Sequence, residues 1–183
     1  QGHLMWFTER HAEAAAAYRQ AINMREGVVR ELPDVSLYVR ELAILLATCP
    51  ERELRDKGRV VELANQTVRL APDESASWYT LAVAQYMTGN WPGALAALDK
   101  TSAKSSGDDN LAWFVRAMTL RQMSGSPGLG DEQRAQLDSE AQEWYARAVA
   151  LLQKTRPVSD EPRRLHEEAA ELFQASVLPN PNN

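Results

Sequence analysis

A short pattern recurs along this chain: a small residue, a large apolar one four positions on, and a second small one three positions later. Ala14, Tyr18 and Ala21 carry it first, and Ala141, Tyr145 and Ala148 repeat it. Ala94, Leu98 and Thr101 are a weaker copy, and Val60, Ala64 and Thr67 weaker still. The first members of these sets stand 46, 34 and 47 residues apart. Self-similarity at such periods constrains the fold more than any single residue does. One repeat cannot bury its apolar face alone and must stack on the next.

A second pattern precedes three of the four sets. Val39, Leu42, Ala43 and Leu46 fall at i, i+3, i+4 and i+7, one face of a helix. Trp78, Leu81, Ala82 and Gln85 share that spacing, as do Trp113, Arg116, Ala117 and Leu120. The small residue in each set has a physical role. Two antiparallel helices approach closely only where a side chain is nearly absent, and the large residue beside it fills the adjoining groove.

Composition agrees with helices throughout. Runs such as Ala14–Ala17, with abundant Leu, Glu, Arg and Gln, favour the helical state. Of the 183 residues, 44% are hydrophobic, enough to bury a core. A long helix is expected over 8–32, stopped by Pro33. Helical hairpins are expected over 37–70, 75–104 and 110–154, and a last helix over 161–174. Gly89-Asn90 should end one helix, with glycine in the left-handed conformation, and Pro92 fits the first turn of the next. The insertion 124–139, rich in Gly and Pro, reads as a loop before a lengthened helix. Gln1-Gly2-His3 reads as the remnant of a cleaved tag, and the chain as a piece of a longer protein. The expected organisation is residues 1–5 outside the fold, one helical repeat domain over 6–176, and a disordered tail over 177–183.

The segment Ser75–Lys100 closely resembles the tetratricopeptide repeat (TPR) family, whose pattern Trp78, Leu81, Gly89, Trp91, Ala94 and Leu98 match, with Ala82 in place of a small glycine. The resemblance is fair over a longer stretch. Extra residues follow Cys49 and Ser124, Arg116 stands where the family has leucine, and Thr67 and Thr101 stand where it has alanine. The run Leu45–Asp56 is similar to the TPR tails of large bacterial proteins that also carry Ser/Thr kinase or WD40 domains. The resemblance implies an all-α solenoid of antiparallel helix pairs. It would hold about three full repeats, an N-terminal half repeat and a C-terminal capping helix. No kinase motif occurs in these residues.

The sequence offers little for catalysis. His3, His11 and His166 stand apart from any metal-ligand spacing, and His166 beside Glu167 and Glu168 reads as a surface residue. The single Cys49 leaves no partner for an internal disulfide and reads as a small buried hydrophobe. Residues 125–130 lack the Lys and Ser/Thr of a phosphate-binding loop. No catalytic, cofactor or metal site is therefore expected. A net charge of -5 argues against nucleic acid, which demands a basic face. No stretch approaches the roughly 20 apolar residues of a membrane span, and a cytoplasmic protein is expected.

What remains is binding to another protein or peptide. The resemblance implies that the first helix of each pair lines a concave groove. Tyr79, Val83 and Tyr86 would face it in one repeat, Phe114, Met118 and Arg121 in the next, and Arg40, Ile44 and Ala47 in the one before. Arg40, Tyr79, Tyr86, Phe114, Met118 and Arg121 are the candidate partner-binding residues, aromatic anchors being the usual source of interface energy, while Val83, Ile44 and Met118 read equally as residues packed against neighbouring helices. The set lacks the paired Lys and Asn with which some TPR proteins grip a C-terminal carboxylate. The alternative is a structural role, as a spacer or a homodimer in which a second copy covers the unpaired side of the first helix.

Overall fold

The computed structural model describes residues 2–49, 51–104, 110–155 and 161–174, with the backbone alone at 2–11, 52, 103, 104 and 110. All regular structure among them is helical: α1 (Gly2–Glu31), α2 (Ser36–Thr48), α3 (Lys57–Leu70), α4 (Ser75–Met87), α5 (Trp91–Lys104), α6 (Asn110–Ser124), α7 (Asp131–Lys154) and α8 (Glu161–Gln174). One 3-10 turn, Arg52–Leu54, lies between α2 and α3. None of these helices is long and apolar enough to cross a membrane. The tail at 177–183 lies outside the described residues.

Helix ends follow local chemistry. The Asp56 carboxylate accepts from the Arg59 backbone N–H at 3.0 Å and starts α3, satisfying an amide that the first turn leaves unpaired. Asn90 does the same for α5 by accepting from Gly93 N–H at 3.3 Å. Just before it Gly89 has φ of 78°, a left-handed conformation that a Cβ would oppose. Asp131 and Glu132 open α7 and Lys154 closes it, each matched to the sign of the helix dipole. α1 begins at Gly2, six residues before the expected start, and ends where Pro33 predicts.

The chain folds as two compact units, 1–88 and 89–183. α4 and α5, the helices of the segment most like a TPR, belong to different units. In the first unit α2 packs most extensively on α3, α3 on α4, and α1 chiefly on α2. Its interior holds Val39, Leu42, Ala43 and Leu46 from α2 and Val60, Leu63 and Ala64 from α3, all but Leu46 without exposure. Cys49 is buried among them in sequence, as a small hydrophobe should be. In the second unit α6 packs on α5, α7 and α8, the α6–α7 pair being the largest. Ala94, Leu98, Phe114, Ala117, Met118, Ala141 and Ala148 form its core.

The small positions of the repeat are therefore the buried ones in α3, α5 and α7. In α1 the register differs by one: Ala15 is buried, whereas Ala14 is exposed. α1 has little but α2 to face, so only one side of it is covered. The two threonines that replace alanine cost little. Thr67 Oγ1 donates to Ala64 O at 2.7 Å and Thr101 Oγ1 to Ala97 O at 3.1 Å, so each buried hydroxyl is satisfied by its own helix.

Candidate interaction surfaces

In the first unit, Arg40 projects from α2 and its Nη1 donates to Glu74 at 3.0 Å, tying α2 to the residue that precedes α4. On α4, Tyr79 and Val83 are buried and Tyr86 is half-buried. Ala47 is buried as well, and Ile44 is half-buried. The next side chain along from Trp78 thus points inward, and the Trp78 indole N–H caps Pro72 O at 2.7 Å. Of the three α4 positions expected to meet a partner, Tyr86 retains the most exposed surface.

The first unit instead displays apolar surface elsewhere. Met24, Val28 and Leu32 are exposed to 66%, 39% and 47%, one turn apart along the end of α1 and the residue just past it. Val35 in the turn and Leu37 at the start of α2 are exposed as well, at 37% and 43%. The i, i+4, i+8 spacing was visible in the sequence. The Ala14, Tyr18 and Ala21 triplet lies on the same face of α1, since Ala21 and Val28 are seven residues apart and Tyr18 and Leu32 fourteen. A cleft of about 430 Å³ lies on this unit, lined by Arg19, Ile22, Glu26, Leu46, Leu54 and Arg59 among others. Arg59 donates across it to both Glu26 oxygens at 3.3 and 3.2 Å and to Glu62 at 2.7 Å. The hydrogen bond to Glu26, then that to Glu62, raises the arginine's pKa further, so its charge is fixed.

In the second unit, Phe114 has no exposed surface and Met118 is 1% exposed, so neither presents a side chain to a partner in this structure. The reason is α8. Phe114 meets Tyr145 of α7 edge-on at 6.1 Å and His166 of α8 at 5.8 Å. His166 also stacks on Tyr145 at 5.9 Å. The histidine read from sequence as a surface residue is half-buried between two rings, because α8 turns it toward α6 and α7 rather than toward solvent. Phe173 stacks on Tyr145 at 4.7 Å, and the Arg121 guanidinium lies 6.0 Å from the Phe173 ring. Burial raises the pKa of the Tyr145 phenol.

Arg121 pairs with Asp138 of α7. Burial opposes the ionised Asp138, but hydrogen bonds from Ser124 and Arg121 outweigh it and hold the carboxyl below its ordinary value. Arg134 donates to Ser124 O, satisfying a carbonyl at the end of α6. These groups and Leu172 line a shallow cleft of about 250 Å³. Arg116, placed where the resemblance expects leucine, is not an intruder in the core. Its Nη2 donates to Asp99 at 2.6 Å, and its guanidinium lies 5.2 Å from the Trp144 ring, with that of Arg147 at 4.9 Å.

Among the described residues, no group of three or more His, Cys, Asp or Glu side chains is placed to hold a metal ion. Comparison with protein families, curated proteins and solved structures gave no match.

Proposed function

We propose that this protein is a non-enzymatic interaction scaffold, a TPR-like α-solenoid that holds a segment of a partner protein in a cytoplasmic setting. The observation that carries the reading is the exposed apolar run Met24, Val28 and Leu32, with Val35 and Leu37 exposed as well. Large side chains in such a row are costly to leave in water, and concentrated apolar surface on a soluble chain marks a contact site for another protein. Arg40 and the half-buried Tyr86 on the same unit supply the polar and aromatic contacts that usually accompany one.

The reading is tested by capture from a lysate with the wild-type chain, a Met24→Glu/Val28→Glu variant and an Arg40→Ala/Tyr86→Ala variant. All three are first matched by circular dichroism. A partner lost with either variant supports the scaffold and says which surface it uses; a partner retained equally by all three overturns it.

A second reading is favoured by the position of the apolar run. It lies on a helix that packs chiefly on α2, so a second copy of the chain could cover it. Light scattering over a wide concentration range separates the two, since a dimer that dissociates with Val28→Glu would make self-association the function of this surface.

A further inference from the structure

α8 is seated differently from its counterpart in the first unit. α4 packs mainly on α3 and less on α2, whereas α8 packs mainly on α6 and only slightly on α7. It therefore covers the face of α6 that bears Phe114 and Arg121. The contact is a single stripe. Pro162, Leu165 and Ala169 are buried, and Phe173 continues them, at spacings of 3, 4 and 4 residues. The outer face of α8 is polar: Arg163, Glu167, Glu168 and Glu171 are exposed. Such a helix is soluble once released, and although Pro162, Leu165 and Ala169 are buried, its packing on α6 and α7 is less extensive than that of α4 on α3 and α2. Beneath it, α6 and α7 form the most extensive helix pair of the unit, so their pairing has its own support.

We propose that the face built by Phe114, Arg121 and Tyr145 is a helix-binding site and that α8 is its resident, exchangeable occupant. The partner it fits is an amphipathic helix with the α8 stripe, Leu-x3-Ala-x3-Phe, and an acidic outer face. This is recognition of a helix in a groove, with α8 as the intramolecular competitor. A tethered segment competes at an effective concentration of about millimolar, so the site is masked until that segment is displaced. None of the residues of the α1–α2 surface takes part, so the proposal stands or falls apart from the scaffold reading.

The test uses the full chain with Leu165→Asp and Phe173→Asp, which releases α8, and a fluorescent peptide of residues 161–174 as probe. Anisotropy should show the peptide binding the variant at least tenfold more tightly than the wild type. A peptide carrying the same two substitutions should not bind. Equal affinity for the two chains, or no binding to the variant, overturns the proposal. Should the variant lose more helix than α8 contains, native-state hydrogen exchange on the wild-type chain decides. α8 amides exchanging at least tenfold faster than those of α6 support an exchangeable helix, and equal protection overturns it.

Discussion

Phe114→Ala separates two opposite roles for one aromatic side chain. On a face left open in the free chain it would be partly exposed, and truncation would leave folding almost untouched. In the structure it has no exposed surface and is enclosed by Tyr145 and His166. Removing the ring loses its transfer free energy, about 2–3 kcal/mol for a fully buried Phe. It also leaves a cavity that the rings of Tyr145 and His166 can only partly fill, bringing the total to about 3–5 kcal/mol. The two ring contacts are part of that figure, at roughly 0.5–1.5 kcal/mol for an aromatic pair. A domain of ordinary stability holds about 5–15 kcal/mol, so the second unit would survive but be much weakened. Urea unfolding followed by tryptophan fluorescence and by far-ultraviolet circular dichroism is the assay, with both probes needed because two compact units need not unfold together. Phe114→Leu, which keeps most of the volume, should cost less than about 1.5 kcal/mol. A loss below about 1 kcal/mol for Phe114→Ala would refute the reasoning. It would mean that α8 does not cover the ring in solution.

Three further outcomes follow from single groups. The Ser77 hydroxyl is buried and makes no hydrogen bond among the described residues, so Ser77→Ala should stabilise the chain by about 1 kcal/mol, and a lower melting temperature would show that the hydroxyl has a partner. Gly89→Ala forces a Cβ into the left-handed conformation at φ of 78° and should cost about 1–2 kcal/mol, read as a lower urea midpoint; no change would mean that the turn relaxes. Asp138 has a lowered pKa, so its contribution is present above the ordinary carboxylate value near 3.8 and is lost as pH falls through the still lower folded value. Asp138→Asn should therefore reduce stability at neutral pH and flatten the acid limb of the stability curve, and parallel curves for the two proteins would remove the ion pair from the account.

How much was legible depended on whether a residue's neighbours lay within its own helix. The outer ends of the three expected hairpins and both ends of α8 lie within a residue of their expected positions, because caps and breakers act over three or four residues. Asp56, Asn90, Gly89 and Pro33 do so here. Burial of Ala64, Ala94, Ala117 and Ala148 was also legible, since periodicity alone marks a face for close approach. The candidate site was not. Tyr79, Phe114 and Met118 lie on faces that a repeat pattern labels as open, yet they are buried. Nothing within α6 says that α8 will lie over it.

The sequence by itself determined that this protein is helical, where each helical hairpin begins and ends, and which stripe of most helices turns inward. These follow from backbone conformational preference and from a 3.6-residue period, both written locally. Only the tertiary structure decided which inward stripes meet and which apolar residues stay in water. Met24, Val28 and Leu32 are as apolar as Leu42 and Leu63, but α1 packs chiefly on one helix and leaves them exposed. His166 and Phe173 are placed by a contact between segments far apart in sequence. Burial is a property of the partner surface as much as of the residue, and the hydrophobic effect that drives it carries no direction.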